Sequence, residues 1–290
     1  MFYFSYQIAS FALFLVSHLP VKVCYWISNF FAMLSFLLFY KQRRKVFKNL
    51  KRILRDKDKK KIRSIAFNLY KNFVANIVDY LLLFTREKKW IEDRFIVDGV
   101  DEKLKELASS KKGIIIATAH LGNWEAAGFI LGYMGYRAHG IGLPQPDERM
   151  ENLYKKMREK GNVVVHPFPG GVIGVYKALK NNEVASIVSD RDINKDGIKT
   201  RFFGKCVTFP GGAALLAYRT GARSIFGFAV KEKGKYKACV SHEIIIDRSK
   251  GEKAFIEEYV KKFASLLEEY VKKYPDRWYH FFDYFEEYKC

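Results

Sequence analysis

No aspartate, glutamate, lysine or arginine occurs in residues 1–20, and none in residues 23–40, so Lys22 is the single charged interruption in a long aromatic-rich stretch. Chain of this kind has to be covered by protein or by lipid. Pro20 splits it. As a helix, residues 23–40 would be roughly 27 Å long at about 1.5 Å per residue, close to the roughly 30 Å hydrocarbon core of a bilayer. The start, MFYFSYQIAS, has neither the basic region nor the small-residue cleavage site of a secretory signal. The segment is therefore expected to stay on the protein as a membrane anchor over residues 1–40, ahead of a second unit over residues 41–290.

Directly after it comes KQRRKVFKNLKRILRDKDKKKIR, relieved only by Asp56 and Asp58. The positive-inside rule puts such a run on the cytoplasmic side. There each basic residue gains about 1 kcal/mol from acidic headgroups. The expected location is the cytoplasmic (inner) membrane, with the rest of the chain on its cytoplasmic face. The whole chain carries 51 Lys+Arg against 31 Asp+Glu, a formal charge of +20, and so needs a polyanion or an anionic surface as neighbour. Beside an apolar anchor that neighbour reads as lipid, and no nucleic-acid partner is expected.

Beyond the anchor the periodicity changes twice. Val46, Phe47, Leu50, Ile53 and Leu54, then Ile62, Ile65, Leu69, Phe73, Ile77 and Leu81, recur at helical spacing. Past Trp90, short apolar runs (IIIATAH, YRAHGIGL, NVVVHPF, EVASIVSD, RSIFGFAV) alternate with helical stretches near residues 124–134, 147–160, 172–180 and 211–220. KACVSHEIII reads as another strand, and a long charged helix over 252–273 stops at Pro275. Such alternation predicts an α/β fold with a largely parallel sheet covered on both faces. Chemistry then belongs beyond the carboxyl ends of the strands.

Cys24, Cys206, Cys239 and Cys290 form no CxxC pair and have no histidine at metal-ligand spacing. Neither a disulfide framework nor a metal site is expected, and the reading is a reducing compartment without cofactor. GxSxG, GxxxxGK and HExxH motifs are missing, and GIGLPQ lacks the third glycine of a dinucleotide fingerprint.

What remains is IIIATAHLGNWEAAG: a strand ending at His120, a Leu121-Gly122 turn, and Asn123 as N-cap of a helix that opens with Trp124 and Glu125. The turn is expected to fold Glu125 onto His120, so that the carboxylate fixes one tautomer and favours the imidazolium. A histidine held in this way is a general base for a hydroxyl, as in a Ser-His-Asp triad with the substrate's own hydroxyl in place of the serine. The helix N-terminus beside it is a place for an oxyanion.

HLGNWE resembles the histidine, four residues, acid motif of the lipid A late acyltransferases, the lauroyl and myristoyl transferases of bacterial lipid A biosynthesis. RRKVFKNLKRIL, FIVDGVDEKLKELASSKKGIIIATAHLGNWE, YKALKNNEVASIVSDRD, TRFFG and TFPGGAALLAYRTGA resemble further blocks of that family in the same order, over about residues 40–280. The resemblance implies a glycerolphosphate-acyltransferase-like α/β fold on the cytoplasmic leaflet. It also implies transfer of a fatty acyl group from acyl carrier protein or coenzyme A to a glycolipid hydroxyl, without metal. Carried onto this chain, His120 is the base and Glu125 its acidic partner, with Gly122 and Asn123 shaping the turn. Asp190, Arg191 and Asp192 line the site from the end of EVASIVSD; Arg191, and Arg201 and Lys205 around FFG, suit phosphate or an anionic headgroup.

The chain also departs from the family. Phe209-Pro210-Gly211-Gly212 replaces a threonine-rich stretch, HPFPGGVIG lacks an arginine often found before its helix, and PDRWYHFFDYF keeps a tryptophan and a histidine but not the arginine that often follows. The expected acceptor is an anionic glycolipid such as a lipid A precursor. The alternatives are another glycolipid such as a phosphatidylinositol mannoside, or a non-catalytic protein that binds anionic lipid.

Overall fold

The computed structural model describes residues 6–56, 58–97, 99–245 and 247–290. Positions 1–5, 57, 98 and 246, expected in the anchor, the basic run, a family-like block and the last strand respectively, lie outside the described residues.

Two apolar helices come first, α1 (Tyr6–His18) and α2 (Val21–Leu38). Pro20 between them has no N–H to continue the first helix and a φ suited to starting the second. α3 (Tyr40–Leu54) and α4 (Lys59–Thr85) follow, α4 being capped by Asp58, which accepts the backbone N–H groups of Lys60 at 2.8 Å and Lys61 at 3.3 Å. By length and composition α2 is long and apolar enough to cross a membrane. Cys24, Ser28, Ala32 and Phe36, one row at four-residue spacing, are its buried positions, and it packs on α4. Its other faces leave Trp26, Phe30, Phe31, Leu37 and Leu38 exposed, as are Phe11 and Phe14 of α1.

After short α5 (Lys88–Glu92) come β1 (Phe95–Ile96) and α6 (Val100–Ala108), then β2 (Ile114–Thr118), α7 (Trp124–Tyr133), β3 (Ala138–Gly142), α8 (Glu148–Lys160), β4 (Val163–Pro167), α9 (Val172–Lys180) and β5 (Val184–Val188). β6 (Ile198–Phe202) and β7 (Lys205–Phe209) form a separate antiparallel hairpin. α10 (Gly212–Thr220), β8 (Arg223–Glu232), β9 (Lys235–Val240), α11 (Gly251–Lys273) and α12 (Tyr284–Glu287) complete the chain.

The main sheet has the order β1-β9-β8-β2-β5-β3-β4. β8, β2, β5, β3 and β4 run parallel, while β9 is antiparallel to β8 and pairs parallel with β1. This is the mixed α/β architecture, with a mostly parallel sheet between helices, that the alternating pattern predicts. β2 is buried at every position, as its run of isoleucines requires between β5 and β8. Its register pairs Thr118 with Val188, so the chain segments after β2 and β5 leave the sheet side by side.

Three expectations are corrected. KACVSHEIII is not one strand: β9 ends at Val240, where the Ser241 hydroxyl accepts the Phe226 N–H at 2.9 Å and so takes a donor from the ladder. The β6–β7 hairpin adds two antiparallel strands to those expected from the sequence pattern. Its turn places Phe203 at φ 49° and Gly204 at φ 76°, the two left-handed residues that a tight hairpin needs. The cysteines, finally, are not all free, so they do not argue for the expected reducing compartment: Cys206 of β7 is disulfide-bonded to Cys290, with Cα atoms 5.5 Å apart and a sequence separation of 84. The pair is brought together by main-chain bonding, Thr208 N–H to the Tyr288 carbonyl at 2.8 Å and a bridge between Val207 and Lys289, which no cysteine spacing reveals.

Closing a loop of that length removes roughly 3–5 kcal/mol of unfolded-state entropy. Cys290→Ser is therefore expected to melt about 5–10 °C below the unaltered protein, and a dithiol reductant to lower the unaltered protein to the same temperature. Equal melting of oxidised, reduced and Cys290→Ser protein would show that the bond adds nothing to stability.

Candidate active site

His120 lies two residues past β2 and Asp190 two past β5, adjacent parallel strands at the carboxyl end of the sheet. Their side chains meet: His120 Nδ1 and Asp190 Oδ1 are 2.7 Å apart. Because an ionised carboxylate only accepts, Nδ1 carries the proton and Nε2 is the ring's free lone pair. The His120 side chain keeps 17% exposure, while Asp190 has none.

The other carboxylate oxygen of Asp190 is surrounded by donors. Oδ2 accepts the backbone N–H of His120 at 3.0 Å, Trp278 Nε1–H at 3.0 Å and His280 Nε2–H at 3.1 Å. Burial pushes the Asp190 carboxyl up, but His120 and His280 together hold it well below its ordinary value. Burial lowers the His120 imidazole below its ordinary value, opposed by the Asp190 charge. Burial also pushes His280 down to about 3 against its bond with Asp190, so His280 stays neutral and serves as a donor.

Trp278 and His280 come from the C-terminal segment, which lies along the turn after β2. Gly122 N–H donates to the Arg277 carbonyl at 2.8 Å and Tyr279 N–H to the His120 carbonyl at 2.9 Å. The Tyr284 hydroxyl donates to the Asp190 carbonyl at 2.9 Å. The segment is held down by aromatic contacts of Tyr284 and Phe285 with Phe202 of the hairpin.

Glu125 does not pair with His120, which corrects the arrangement expected from spacing alone. Asn123 caps α7 by accepting Ala126 N–H at 3.0 Å, and Glu125, in the first turn, accepts instead from Arg158 Nη2 of α8 at 3.1 Å. Burial works against the Arg158 charge, yet Glu125 and Tyr80 hold its pKa above the ordinary value. Glu125 reaches His120 only through its field, which favours the protonated ring.

Gly122 is required at its position. Its φ is +70°, and a Cβ there would sit 1.9 Å from the Ala229 carbonyl oxygen. The Asn123 N–H donates to that same carbonyl at 2.8 Å. With Gly122, Asn123 and Ala126 amides all bonded within the protein, these three are not available to an oxyanion.

The remaining expected residues are dispersed. Arg191 Nη2 donates to the Tyr279 carbonyl at 2.9 Å, and its guanidinium lies 5.4 Å from the Phe282 ring centroid, so it holds the C-terminal segment. Asp192 is buried and accepts the Gly197 N–H at 3.0 Å, closing its own loop. Arg201 and Lys205 stand on the β6–β7 hairpin. Lys205 lines a basic cleft of about 800 Å³ with Lys51, Arg52, Arg55 and Lys289, and Arg201 faces a smaller hollow with Lys199 and Lys261.

Sequence reasoning missed the pairing of Asp190 with His120 and the role of Trp278 and His280. The signal was present in two pieces, an acid directly after one strand and a tryptophan and histidine two residues apart near the C-terminus, but their meeting depends on strand order. Among the described residues no group of three or more His, Cys, Asp or Glu side chains is placed to hold a metal ion.

A family model described as "Bacterial lipid A biosynthesis acyltransferase" matches residues 2–286. A phosphatidylinositol mannoside acyltransferase of Mycobacterium tuberculosis is 32% identical over 136 residues, 44% of this chain and 41% of that protein. One from Mycolicibacterium smegmatis is 29% identical over 136 residues, 43% of each. The chain thus spans about two fifths of the length of the curated relatives it matches.

Proposed function

Because the chain belongs to the bacterial lipid A biosynthesis acyltransferase family, we propose that it is a membrane-bound O-acyltransferase that moves a fatty acyl group from an acyl carrier protein or coenzyme A thioester to a glycolipid hydroxyl. The observation that carries this reading is the His120–Asp190 pair with its free Nε2 at the carboxyl ends of two parallel strands. In this mechanism Nε2 takes the proton of the acceptor hydroxyl as its oxygen attacks the thioester carbonyl. Asp190 keeps the proton on Nδ1 and stabilises the imidazolium. When the tetrahedral intermediate collapses, the C–S bond breaks, the ester remains on the acceptor, and the donor sulfur recovers a proton from the imidazolium. No acyl-enzyme is needed.

Glu125 is the field-supporting acid in this scheme, and the Gly122-Asn123 turn sets the position of His120. Asp192 and Arg191 hold the wall that carries Asp190, while Arg201 and Lys205 are the places for an anionic headgroup or donor phosphate. The fold is of the glycerolphosphate-acyltransferase type. The outward apolar side chains of α1 and α2 seat residues 41–290, the catalytic part, on the cytoplasmic face of the inner membrane, where the basic face of α3 meets acidic headgroups.

The acceptor we favour is a lipid A precursor, after the family's description. The mycobacterial relatives favour a second reading, a phosphatidylinositol mannoside. Mass spectrometry of lipids from a host without late acyltransferases, with and without this chain, tests both. A glycolipid heavier by one acyl group identifies acceptor and chain length together. Identical lipid profiles at matched membrane expression exclude lipid A, and purified protein with mannoside acceptor and acyl thioester then decides the second reading.

A further inference from the structure

Asp79 of α4 is a buried carboxylate that takes no part in the chemistry above. Lys231 Nζ of β8 donates to it at 2.8 and 3.1 Å, and it also accepts the hydroxyls of Tyr236 of β9 and Tyr25 of α2. Withdrawing such an ion pair from water carries a large desolvation cost, which is met only when every lone pair finds a donor. Three donors from three different elements do so here.

The hub continues to the turn after β2. With its own proton committed to Asp79, the Tyr236 oxygen accepts from Asn123 Nδ2 at 3.0 Å. One helical turn before Asp79, Asn76 donates through Nδ2 to the Gly122 carbonyl at 2.8 Å and to the Tyr279 hydroxyl at 3.2 Å. The residue on each side of the Gly122–Asn123 peptide is thereby tied to α4, and Asn123 in turn caps α7. An ionised acceptor fixes the direction of the Tyr236 proton, and with it the lone pair offered to Asn123.

We propose that Asp79 is a positioning residue for the turn that carries His120, acting through Tyr236 on Asn123 while Asn76 of the same helix holds the Gly122 side, and that Tyr25 couples the same hub to the apolar helix α2. Seating of α2 and the geometry of the active-site turn are then linked through one carboxylate. This rests on the reading of His120 as the base.

The test uses the full chain in lipid vesicles and two independent readouts, steady-state acyl transfer and hydrogen exchange of the backbone over residues 119–128. Tyr236→Phe keeps shape and removes only the hydroxyl. It is expected to lower kcat about tenfold with KM changed less than twofold, and to speed exchange over 119–128 while β2 exchanges as before. Tyr25→Phe follows the same pattern with a smaller change. Asp79→Asn is made with and without Lys231→Met, which removes the ammonium that would otherwise be left unpaired. Tyr259→Phe, which deletes a buried hydroxyl contact with Ser224 far along the sheet, serves as the control and leaves both readouts in place. Exchange over 119–128 unaltered in Tyr236→Phe and in both Asp79→Asn proteins overturns the proposal. Absence of acyl transfer in the unaltered chain sinks the activity reading instead, and the exchange measurement still decides the positioning role.

Discussion

Replacing His120 by alanine is expected to lower acyl transfer by about 100- to 10,000-fold, the loss that follows removal of a positioned general base. The fold should survive, because His120 is a partly exposed side chain at a strand end and its backbone N–H still reaches Asp190. The loss should fall on kcat rather than KM, since the proton leaves the hydroxyl only as the transition state forms. Burial holds the His120 pKa below the ordinary histidine value of about 6.5. The neutral base therefore persists to lower pH than in a free histidine, and the acid limb of kcat/KM for the unaltered protein should lie below about 6.5, with activity falling as pH drops through it. Purified protein assayed for transfer from an acyl thioester checks both statements. Near-normal turnover by His120→Ala would remove the base mechanism altogether.

How the candidate site was legible depends on distance along the chain. The strand, turn and helix around His120 were readable because isoleucine-rich burial, a glycine and an N-cap asparagine are local signals, and the structure places Gly122 and Asn123 in the roles those signals give them. The acid was not readable in the same way. Spacing put Glu125 beside His120, but a residue in the first helical turn takes its direction from the helix, and here α8 offers Arg158. Asp190 becomes the partner because β5 lies next to β2 in the sheet, a consequence of crossovers that bring strands 70 residues apart into register. The disulfide and the C-terminal segment were hidden for the same reason. Cys206 and Cys290 meet through a hairpin, and Trp278 and His280 reach Asp190 only once that segment has folded back along the turn. The buried hub at Asp79 left still less trace, since an aspartate, a lysine and two tyrosines on four separate elements look like ordinary solvent-facing residues until the elements pack.

The choice between the two acids yields the sharpest expected contrast. In Asp190→Asn one amide oxygen must serve where two carboxylate oxygens did. Three donors, the His120 N–H, Trp278 Nε1–H and His280 Nε2–H, converge on the position of Oδ2, whereas among the described residues only His120 Nδ1 faces Oδ1. The amide oxygen should therefore turn to the three donors and the NH2 group to His120. Nδ1 then has to accept, the ring proton moves to Nε2, and the lone pair proposed to take the substrate proton is gone. A wrong tautomer of this kind is expected to reduce kcat by about 1,000- to 10,000-fold, within the range expected for loss of His120 itself. The double variant should be scarcely worse than either single one, because the two residues act as a unit. Glu125→Gln, by contrast, keeps a hydrogen bond to Arg158 and removes only a charge that acts on His120 at a distance, so a loss of about tenfold or less is expected. Single-turnover rates of the three variants, taken with thermal melts to confirm folding, settle the assignment. If Glu125→Gln falls by a thousandfold while Asp190→Asn stays within tenfold, the orienting acid is Glu125, and the ring must leave Asp190 when substrate binds.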